Sequence, residues 1–272
     1  MTGGPDTGLA ADVAATPVWY HTIELAPGLV TPGWFDLRPI VERLPWPEVA
    51  GRRCLDVGTY DGFLAFELER RGAGEVVATD IPSEDHWDWP VAERSWGPAV
   101  ARGIVGEEKG RGFQVAHRAL RSAVERVEVS VYELDPERIG SFDVVVCGSL
   151  LLHLRDPVGA LERIRAVCSG CVLSVEEINP WLTLAHPRRA VARLRPMTMQ
   201  WWVPNLAGHR EMLGAAGFAI EAATRLATPF GVGHPRLGWS PRSVGFRAAT
   251  RLVGGRVGVP CSALRARPQR LD

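Results

Sequence analysis

Residues 54–63 read CLDVGTYDGF, and residues 75–80 read EVVATD. Each segment begins as an apolar β-strand, and the first strand runs into a turn that contains Gly58 and Gly62. A helical pattern separates the two strands, and the second strand ends on Asp80. Glycines let backbone N–H groups approach a ligand closely. An acid at the end of the next parallel strand can accept hydrogen bonds from a ribose. The pattern therefore predicts a site for a cofactor that contains a nucleoside.

The glycine pattern of this turn differs from that of a dinucleotide site. Tyr60 stands where a dinucleotide turn has its middle glycine, which a bound pyrophosphate needs for close approach. A cofactor without phosphates has no such requirement. The turn therefore favours S-adenosylmethionine (SAM) over NAD.

Apolar strands alternate with helical patterns along most of the chain. Such alternation predicts an α/β fold with a doubly wound, mostly parallel, seven-stranded Rossmann-like sheet and helices on both faces. Ligands of such folds bind outside the carboxyl ends of the strands. The predicted strands are 53–57, 75–80, 127–132, 142–147, 171–176, 218–224 and 243–250.

The sequence divides into four parts. We expect a disordered tail at 1–16, an N-terminal cap at 17–50, a SAM-binding domain at 51–250 and a basic tail at 251–272. The domain carries helical or loop insertions at 81–110 and 179–203, which are longer than ordinary strand–helix connections. Residues 1–16 lack the features of a signal peptide, and no apolar run approaches the length of a membrane helix.

Composition narrows the classes of partner. Arginines and lysines balance aspartates and glutamates at 31 each, so no overall field attracts nucleic acid or a membrane, and both are disfavoured as partners. Residues 227–271 nevertheless hold eight arginines and no acid. A solvated tail or a contact with an anionic substrate or RNA would each explain them. The five cysteines lack a disulfide or zinc spacing, so we expect a reducing cytoplasmic setting and no metal.

The candidate cofactor residues follow the carboxyl ends of successive strands. Asp80 would bind the ribose, and Tyr132 or its neighbours would flank the adenine. Asp56, inside the first strand, would support the glycine turn rather than touch the ligand. The predicted cofactor-binding residues are Gly58, Thr59, Tyr60, Gly62, Asp80, Ile81, Val131, Tyr132, Gly148 and Ser149.

The candidate acceptor side is aromatic. Methyl transfer is an in-line displacement that mainly requires alignment, and a base helps where the nucleophile must lose a proton. His153, His21 and Tyr20 are the candidate catalytic residues. Ordinary packing or helix-start roles would also explain the histidines and most of the ten tryptophans. The predicted substrate-binding residues are Trp19, Trp34, Trp87, Glu176 and Trp201.

Several motifs together resemble the class I SAM-dependent methyltransferases, and more narrowly the branch related to the tRNA wobble-uridine carboxymethyltransferases. The match covers about residues 17–225 and implies that the first turn, Asp80 and the Val131–Tyr132 region hold the cofactor. The motifs that carry it are WYHTIEL at 19–25, GWFD at 33–36, LDVG at 55–58, GSLLLHLRDP at 148–157, and PNL at 204–206 before MLGAAGF at 212–218.

One departure from that branch matters. The tRNA enzymes use a carboxylated SAM and hold its extra carboxylate with a lysine in the lead-in, where residues 31–40 here have Arg38 as their one cation. We therefore expect ordinary SAM and a small-molecule acceptor, in bacterial secondary metabolism. A tRNA-modifying enzyme is the second hypothesis. The third is a methyltransferase-fold protein with other chemistry or a scaffold role, and oligomeric or partner-subunit contacts stay open.

Overall fold

The computed structural model describes residues 7–106, 108–195, 199–235 and 238–270. Nine α-helices and eleven β-strands lie within these ranges. The helices are α1 Thr7–Ala15, α2 Phe63–Arg70, α3 Gly97–Val105, α4 Arg111–Leu120, α5 Pro136–Ile139, α6 Pro157–Val167, α7 Pro180–Ala185, α8 Leu206–Ala215 and α9 Pro241–Gly254. The strands are β1 Glu24–Ala26, β2 Leu29–Val30, β3 Arg53–Val57, β4 Glu75–Asp80, β5 Glu125–Glu128, β6 Phe142–Gly148, β7 Cys168–Glu177, β8 Ala192–Leu194, β9 Trp202–Pro204, β10 Phe218–Thr228 and β11 Val259–Pro268.

Seven strands form one sheet in the order β10-β11-β7-β6-β3-β4-β5. The pairs from β7 through β5 are parallel, and β11 runs antiparallel to both β7 and β10. The chain order reverses between β3 and β6, which places the switch point beside the glycine turn. This architecture confirms the predicted seven-stranded, mostly parallel fold.

The central strands are buried on both faces because helices cover the sheet from both sides. Along β3, Cys54 packs into a core with Phe66 and Phe113, while Leu55 packs into a second core with Leu161 and Phe218. Alternate residues of one strand thus supply two separate cores, as the period of a strand requires. The turns that connect strands to helices therefore lie together at the carboxyl ends of the parallel strands.

The predicted disordered tail at 1–16 is wrong for its second half. Residues 7–15 form α1, whose Val13 is buried against the core, and Asp12 forms an ion pair with Arg118 of α4. The segment orders because its alanine-rich sequence favours a helix and because Trp19 covers one end of it. The first six residues lie outside the described ranges.

The last predicted strand is misplaced. Residues 243–250, predicted as a strand, lie in α9, which begins after Ser240, whose hydroxyl accepts a hydrogen bond from the Ser243 amide. The strand that pairs with β10 is β11, inside the segment that we predicted as a basic tail. The buried positions of β11 include the small residues Ala263 and Ala266, and Arg265 and Arg267 are more exposed, so the sequence lacks the bulky apolar alternation typical of a strand. Residues 271 and 272 lie outside the described ranges.

The third predicted strand is also shifted. The structure has β5 at Glu125–Glu128 and a 3₁₀ turn at Val131–Glu133, which the Ser130 side chain caps. The two insertions contain short elements: α3 and two 3₁₀ turns in the first, and α7 with the β8–β9 hairpin in the second. Residue 107 and residues 196–198 of these insertions are not among the described ones.

The antiparallel strand β11 makes a direct prediction for stability. Leu264 is fully buried between β7 and β10, so Leu264→Ala should lower the free energy of unfolding by about 2–5 kcal/mol through lost burial and a cavity. Leu252→Ala on α9 is the matched control, since Leu252 is 73% exposed and its loss should change stability by less than about 0.5 kcal/mol. Urea unfolding measures both, and equal midpoints would contradict the placement of β11.

Candidate functional site

The turn after β3 adopts backbone conformations that few residues tolerate. Gly58 has φ +75°, and a Cβ there would lie 3.1 Å from the Leu150 side chain, so the position needs glycine. The Gly58 and Thr59 amides donate hydrogen bonds to the Thr79 carbonyl of β4. Tyr60 also has a positive φ, of 51°, which places its ring over the cavity. The turn is therefore fixed to the neighbouring strand and open to a ligand on its other side.

The carboxylate of Asp80 lies where the sequence predicts it, at the end of β4. Its oxygens accept hydrogen bonds from the Tyr60 amide at 2.9 Å and from the Ile81 amide at 2.8 Å. The Asp80 side chain is 9% exposed and lines a cavity that also contains Gly58. The backbone thus orients the carboxylate before any ligand arrives.

Lys109, which the sequence analysis did not select, lies on Asp80. Its Nζ is 3.3 Å from Asp80 Oδ1 and 5.1 Å from the centre of the Tyr60 ring, and the side chain is almost fully buried. An ionised carboxylate has about four lone-pair positions, and three of those of Asp80 are engaged. One remains for a ribose hydroxyl while Lys109 stays in place.

Tyr132 and Asp88 form the far wall of this cavity. The Tyr132 hydroxyl donates to Asp88 Oδ2 at 2.6 Å, and the same oxygen accepts the Arg155 amide. The Trp201 indole donates to the Asp88 carbonyl at 2.6 Å. Burial and the neighbouring carboxylate of Asp88 raise the pKa of Tyr132. Asp88, which the sequence analysis did not single out, therefore fastens the first insertion to the second.

A second cavity adjoins the first, and the two share a wall. The first encloses about 1360 Å³ and the second about 1070 Å³, in each case with part of the space open to solvent. The wall comes from the N-terminal cap, the end of β6, the turn after it and the second insertion. Its seven residues are Tyr20, His21, Trp34, Gly148, Ser149, His153 and Met199.

His21 in this wall is held by Asp61. The Asp61 carboxylate accepts the His21 amide at 2.7 Å and His21 Nδ1 at 2.5 Å, and the Asp61 side chain is fully buried. A carboxylate only accepts, so Nδ1 carries the proton and Nε2 of a neutral ring is left as a proton acceptor. Sequence reasoning found His21 but missed Asp61, although Asp61 stands inside the opening motif.

His153 and Tyr20 differ from His21 in what they can do. His153 Nδ1 lies 2.7 Å from the Met199 carbonyl, and desolvation of the ring by the surrounding protein lowers the pKa of His153. Burial and the nearby Glu177 carboxylate raise the pKa of Tyr20. Tyr20 therefore keeps its proton and acts as a hydrogen-bond donor, which argues against a base role for it.

The second cavity is mainly apolar. Glu177 at the end of β7, Gln200, Thr228 and His234 are polar groups of its lining outside the shared wall. Burial raises the pKa of Glu177 to about 7. The apolar and sulfur-bearing lining consists of Phe35, Leu37, Leu44, Leu64, Leu152, Val175, Val259 and Cys261.

Four predicted site residues face neither cavity. Trp19 is 1% exposed and donates its indole N–H to the Val13 carbonyl, so it packs in the core rather than against a substrate. Glu176 is 2% exposed and accepts the Leu150 and Leu151 amides, because alternate residues of β7 face opposite sides. Thr59 and Gly62 belong to the turn itself, where the Gly62 amide donates a hydrogen bond to the Thr59 carbonyl.

The other predicted residues line the first cavity, the second or both. Within the described ranges, no three histidine, cysteine, aspartate or glutamate side chains are grouped to hold a metal. No helix in those ranges is long and apolar enough to cross a bilayer. The five cysteines are free and buried.

Residues 36–222 match the family model described as a methyltransferase domain, which is more than half of the chain. Two relatives are described as ubiquinone biosynthesis O-methyltransferase. The one from Psychrobacter cryohalolentis is 28% identical to this chain over 135 residues, and the one from Acinetobacter baylyi is 30% identical to it over 142 residues. These alignments cover 48% and 47% of this chain, and 44% and 50% of the relatives. The chain thus spans about half the length of the curated relatives it matches.

Solved structures share the fold at low sequence identity. A candidate SAM-dependent methyltransferase from Listeria monocytogenes aligns with a TM-score of 0.51 at 12% identity, over 84% of this chain and 96% of that one. A Haloferax volcanii candidate methyltransferase, described in complex with the Trm112 methyltransferase activator, aligns with a TM-score of 0.55 at 14% identity, over 85% and 87% of the two chains. These likenesses support the fold.

The contact between His21 and Asp61 predicts a measurable change. Asp61→Asn leaves at least one of the two His21 N–H groups without its present acceptor, because an amide has one oxygen where the carboxylate has two, so the free energy of unfolding should fall by about 1–3 kcal/mol. The ¹⁵N spectrum of the His21 ring should also lose its single Nδ1–H tautomer. Asp36→Asn, at a partly exposed ion pair with Arg38, is the control and should change stability by less than about 1 kcal/mol. An unchanged His21 spectrum in Asp61→Asn would contradict the assigned tautomer.

Proposed function

Because the chain belongs to the methyltransferase-domain family, we propose that it transfers a methyl group from SAM to a small, largely apolar acceptor. One observation carries the proposal: two cavities of suitable size share a wall at the carboxyl ends of the strands. Cofactor and acceptor bound in adjoining cavities would be aligned for in-line displacement, which is the main requirement of methyl transfer.

Family membership confirms the predicted enzyme class, a methyltransferase, and the predicted cofactor, SAM. It does not specifically support the wobble-uridine branch that the motifs resemble. The acceptor, the reaction's place in secondary metabolism and a cytoplasmic location stay predictions. A partner subunit also stays a prediction, although the Haloferax neighbour is described with an activator.

The residues of the first cavity fit SAM. Gly58 leaves room for a ligand against the turn, Asp80 offers a ribose hydroxyl an oriented carboxylate oxygen, and Ile81, Val131 and Tyr132 form an apolar slot for adenine. Lys109 would have to share or leave Asp80 for both ribose hydroxyls to bind. When bound, the cofactor supplies an electrophilic methyl group on a sulfonium.

The shared wall would carry the chemistry. Tyr20 and Ser149 can donate hydrogen bonds toward either cavity, and His21 is held by Asp61 through Nδ1, so Nε2 of the neutral ring would be its proton acceptor. The centre of the Tyr20 ring lies 4.8 Å from that of His21 and 4.9 Å from that of Phe35, so aromatic rings cover the cap side of the wall. We propose His21 as the base for acceptors that must lose a proton.

A small-molecule acceptor is favoured over tRNA. The arginines that suggested an anion-binding tail are partly engaged in the sheet: Arg265 and Arg267 of β11 pair with Glu221 of β10, and Arg265 also donates to the Trp46 carbonyl. The curated relatives are described as O-methyltransferases of ubiquinone biosynthesis, and such a description fits a small acceptor.

The role of Asp80 predicts a loss of SAM affinity. Asp80→Asn removes a charged hydrogen-bond acceptor, so binding should weaken by about 1–3 kcal/mol, roughly 5- to 150-fold. Asp85→Asn is the control, because Asp85 is exposed on the first insertion and pairs with Arg102. Calorimetric titration with SAM compares them, and equal affinity in folded Asp80→Asn would remove this assignment.

A turnover assay distinguishes the enzyme hypothesis from the scaffold hypothesis. The purified protein should bind SAM with micromolar affinity and release S-adenosylhomocysteine only when an acceptor from a small-molecule panel is added. Retained SAM binding without turnover on any acceptor class would favour the scaffold hypothesis. Salt-sensitive binding of tRNA, with turnover on it, would replace the small-molecule proposal.

A further inference from the structure

Among the described residues, the lining of the second cavity contains one acidic side chain, that of Glu177, and its direction is set by strand β7. β7 ends Val175-Glu176-Glu177, and successive side chains of a strand face opposite sides. Glu176 is tied to the Leu150 and Leu151 amides behind the wall, whereas Glu177 lies opposite Cys261 of β11 and lines the second cavity with it. Glu177 is therefore the carboxylate that an acceptor would meet.

Glu177 has no cationic partner within the described part of the chain. Its contact there is with the Gln200 side chain, whose Nε2 lies 3.5 Å from Glu177 Oε2. The other lining residues that the structure describes are apolar side chains, Cys261, the hydroxyl and amide groups of neighbouring residues, and three histidines, with no lysine or arginine among them. A carboxylate in such surroundings is costly to ionise, and burial raises the pKa of Glu177 to about 7. No lysine or arginine of this part of the lining pairs with Glu177, so a cationic group of a ligand could do so.

The chemistry of the lining selects a ligand group. An ionised carboxylate only accepts hydrogen bonds, so the ligand group beside it must donate them. Tyr20, Trp34 and Phe35 line the same cavity, and aromatic faces attract cations. A carboxylate with aromatic rings around it and no cation of its own is complementary to an ammonium group on an otherwise apolar molecule.

We propose that Glu177 determines acceptor specificity and that the acceptor is an apolar molecule with a primary or secondary amine, bound as its ammonium form. This assignment rests on the proposed methyl transfer and names the acceptor class for it. Glu177 binds the ammonium and, for this acceptor class, removes its proton in place of His21, since a protonated nitrogen has no lone pair to react.

The proton and electron balance is simple. An ammonium N–H bond breaks, and its proton moves to Glu177 Oε while the electron pair stays on nitrogen. The neutral amine then forms the N–C bond as the S–C bond of the methyl donor breaks, and that electron pair remains on sulfur. No oxidant or further reactant is needed.

Other titratable groups lie near Glu177 and contribute to the pH profile. Tyr20 and Cys261 keep their protons at neutral pH because burial raises the pKa of both groups. Burial also raises the pKa of Glu176 to about 8. The remaining titratable groups of the lining are the imidazoles of His21, His153 and His234.

Binding of three probes of matched shape tests the proposal. The probes are phenethylamine, phenethyl alcohol and 3-phenylpropionate, titrated calorimetrically into protein saturated with S-adenosylhomocysteine. Phenethylamine should bind at least about tenfold more tightly than 3-phenylpropionate. Glu177→Gln should lose about tenfold or more for the amine and little for the alcohol, and the exposed Glu137→Gln should match the wild type. Amine binding that is absent, or unaffected by Glu177→Gln, overturns the proposal.

The pH dependence of stability gives a readout without any ligand. Because the folded pKa of Glu177 lies above its ordinary value of 4.5, folding favours the protonated form. The contribution of Glu177 to stability is thus fully present below about pH 4.5 and is lost as the pH rises toward and through 7. Urea midpoints of Glu177→Gln should fall less between pH 5 and pH 8 than those of wild type and Glu137→Gln. Parallel curves overturn the isolated-carboxylate assignment.

The two proposals fail differently. SAM binding should be equal in wild type, Glu177→Gln and Glu137→Gln, because Glu177 lines the second cavity. Loss of SAM binding in the wild type refutes methyl transfer, whereas normal SAM binding without amine preference refutes the role of Glu177 alone.

Discussion

The site depends on one set of backbone hydrogen bonds between the turn after β3 and the end of β4. The Gly58 and Thr59 amides donate to the Thr79 carbonyl, and the Tyr60 amide donates to the Asp80 carboxylate. The left-handed backbone at Gly58 and Tyr60 makes these contacts possible. They fix the carboxylate relative to the turn, so a ligand meets a preorganised site rather than a mobile side chain.

The N-terminal cap converts this edge of the sheet into two enclosed spaces. Backbone hydrogen bonds join Trp19 to Trp34 and Tyr20 to Phe35, and Gly33 is required there, because a Cβ would lie 2.2 Å from the His21 carbonyl carbon. The cap then holds Tyr20, His21 and Trp34 between the cavities. The insertions complete the enclosure, since Asp88 of the first binds Trp201 of the second.

The antiparallel strand β11 has a functional consequence as well as a structural one. It lies between β7 and β10, and its Cys261 pairs with Glu177. Val259 and Cys261 of β11 line the second cavity with Glu177, so without β11 the carboxylate would be more exposed to water and its pKa would lie closer to its ordinary value. The isolation of one acidic group in an apolar cavity is thus a product of sheet topology.

The sequence by itself determined the parts of this protein that depend on local pattern. Apolar periodicity predicted strands 53–57 and 75–80, and the glycines predicted the turn between the first strand and its helix. The spacing from that turn predicted Asp80 as the acid at the end of the second strand, and the structure has all of these features. Sequence reasoning misplaced β11 and read α1 as disorder, because alanine-rich segments carry little amphipathic signal and are ordered by what they pack against.

Only the tertiary structure decided which side chains meet. Three contacts of the site join distant parts of the chain: Lys109 with Asp80, Asp61 with His21, and Asp88 with Tyr132. The partners are separated by 29, 40 and 44 positions, as the numbering shows, and no local pattern encodes such pairs. The same holds for Glu176 and Glu177, which are adjacent in sequence and identical in type. The pleat of β7 sends the first into a hydrogen-bonded backbone pocket and the second into a cavity, and that difference of direction separates a structural acid from a binding one.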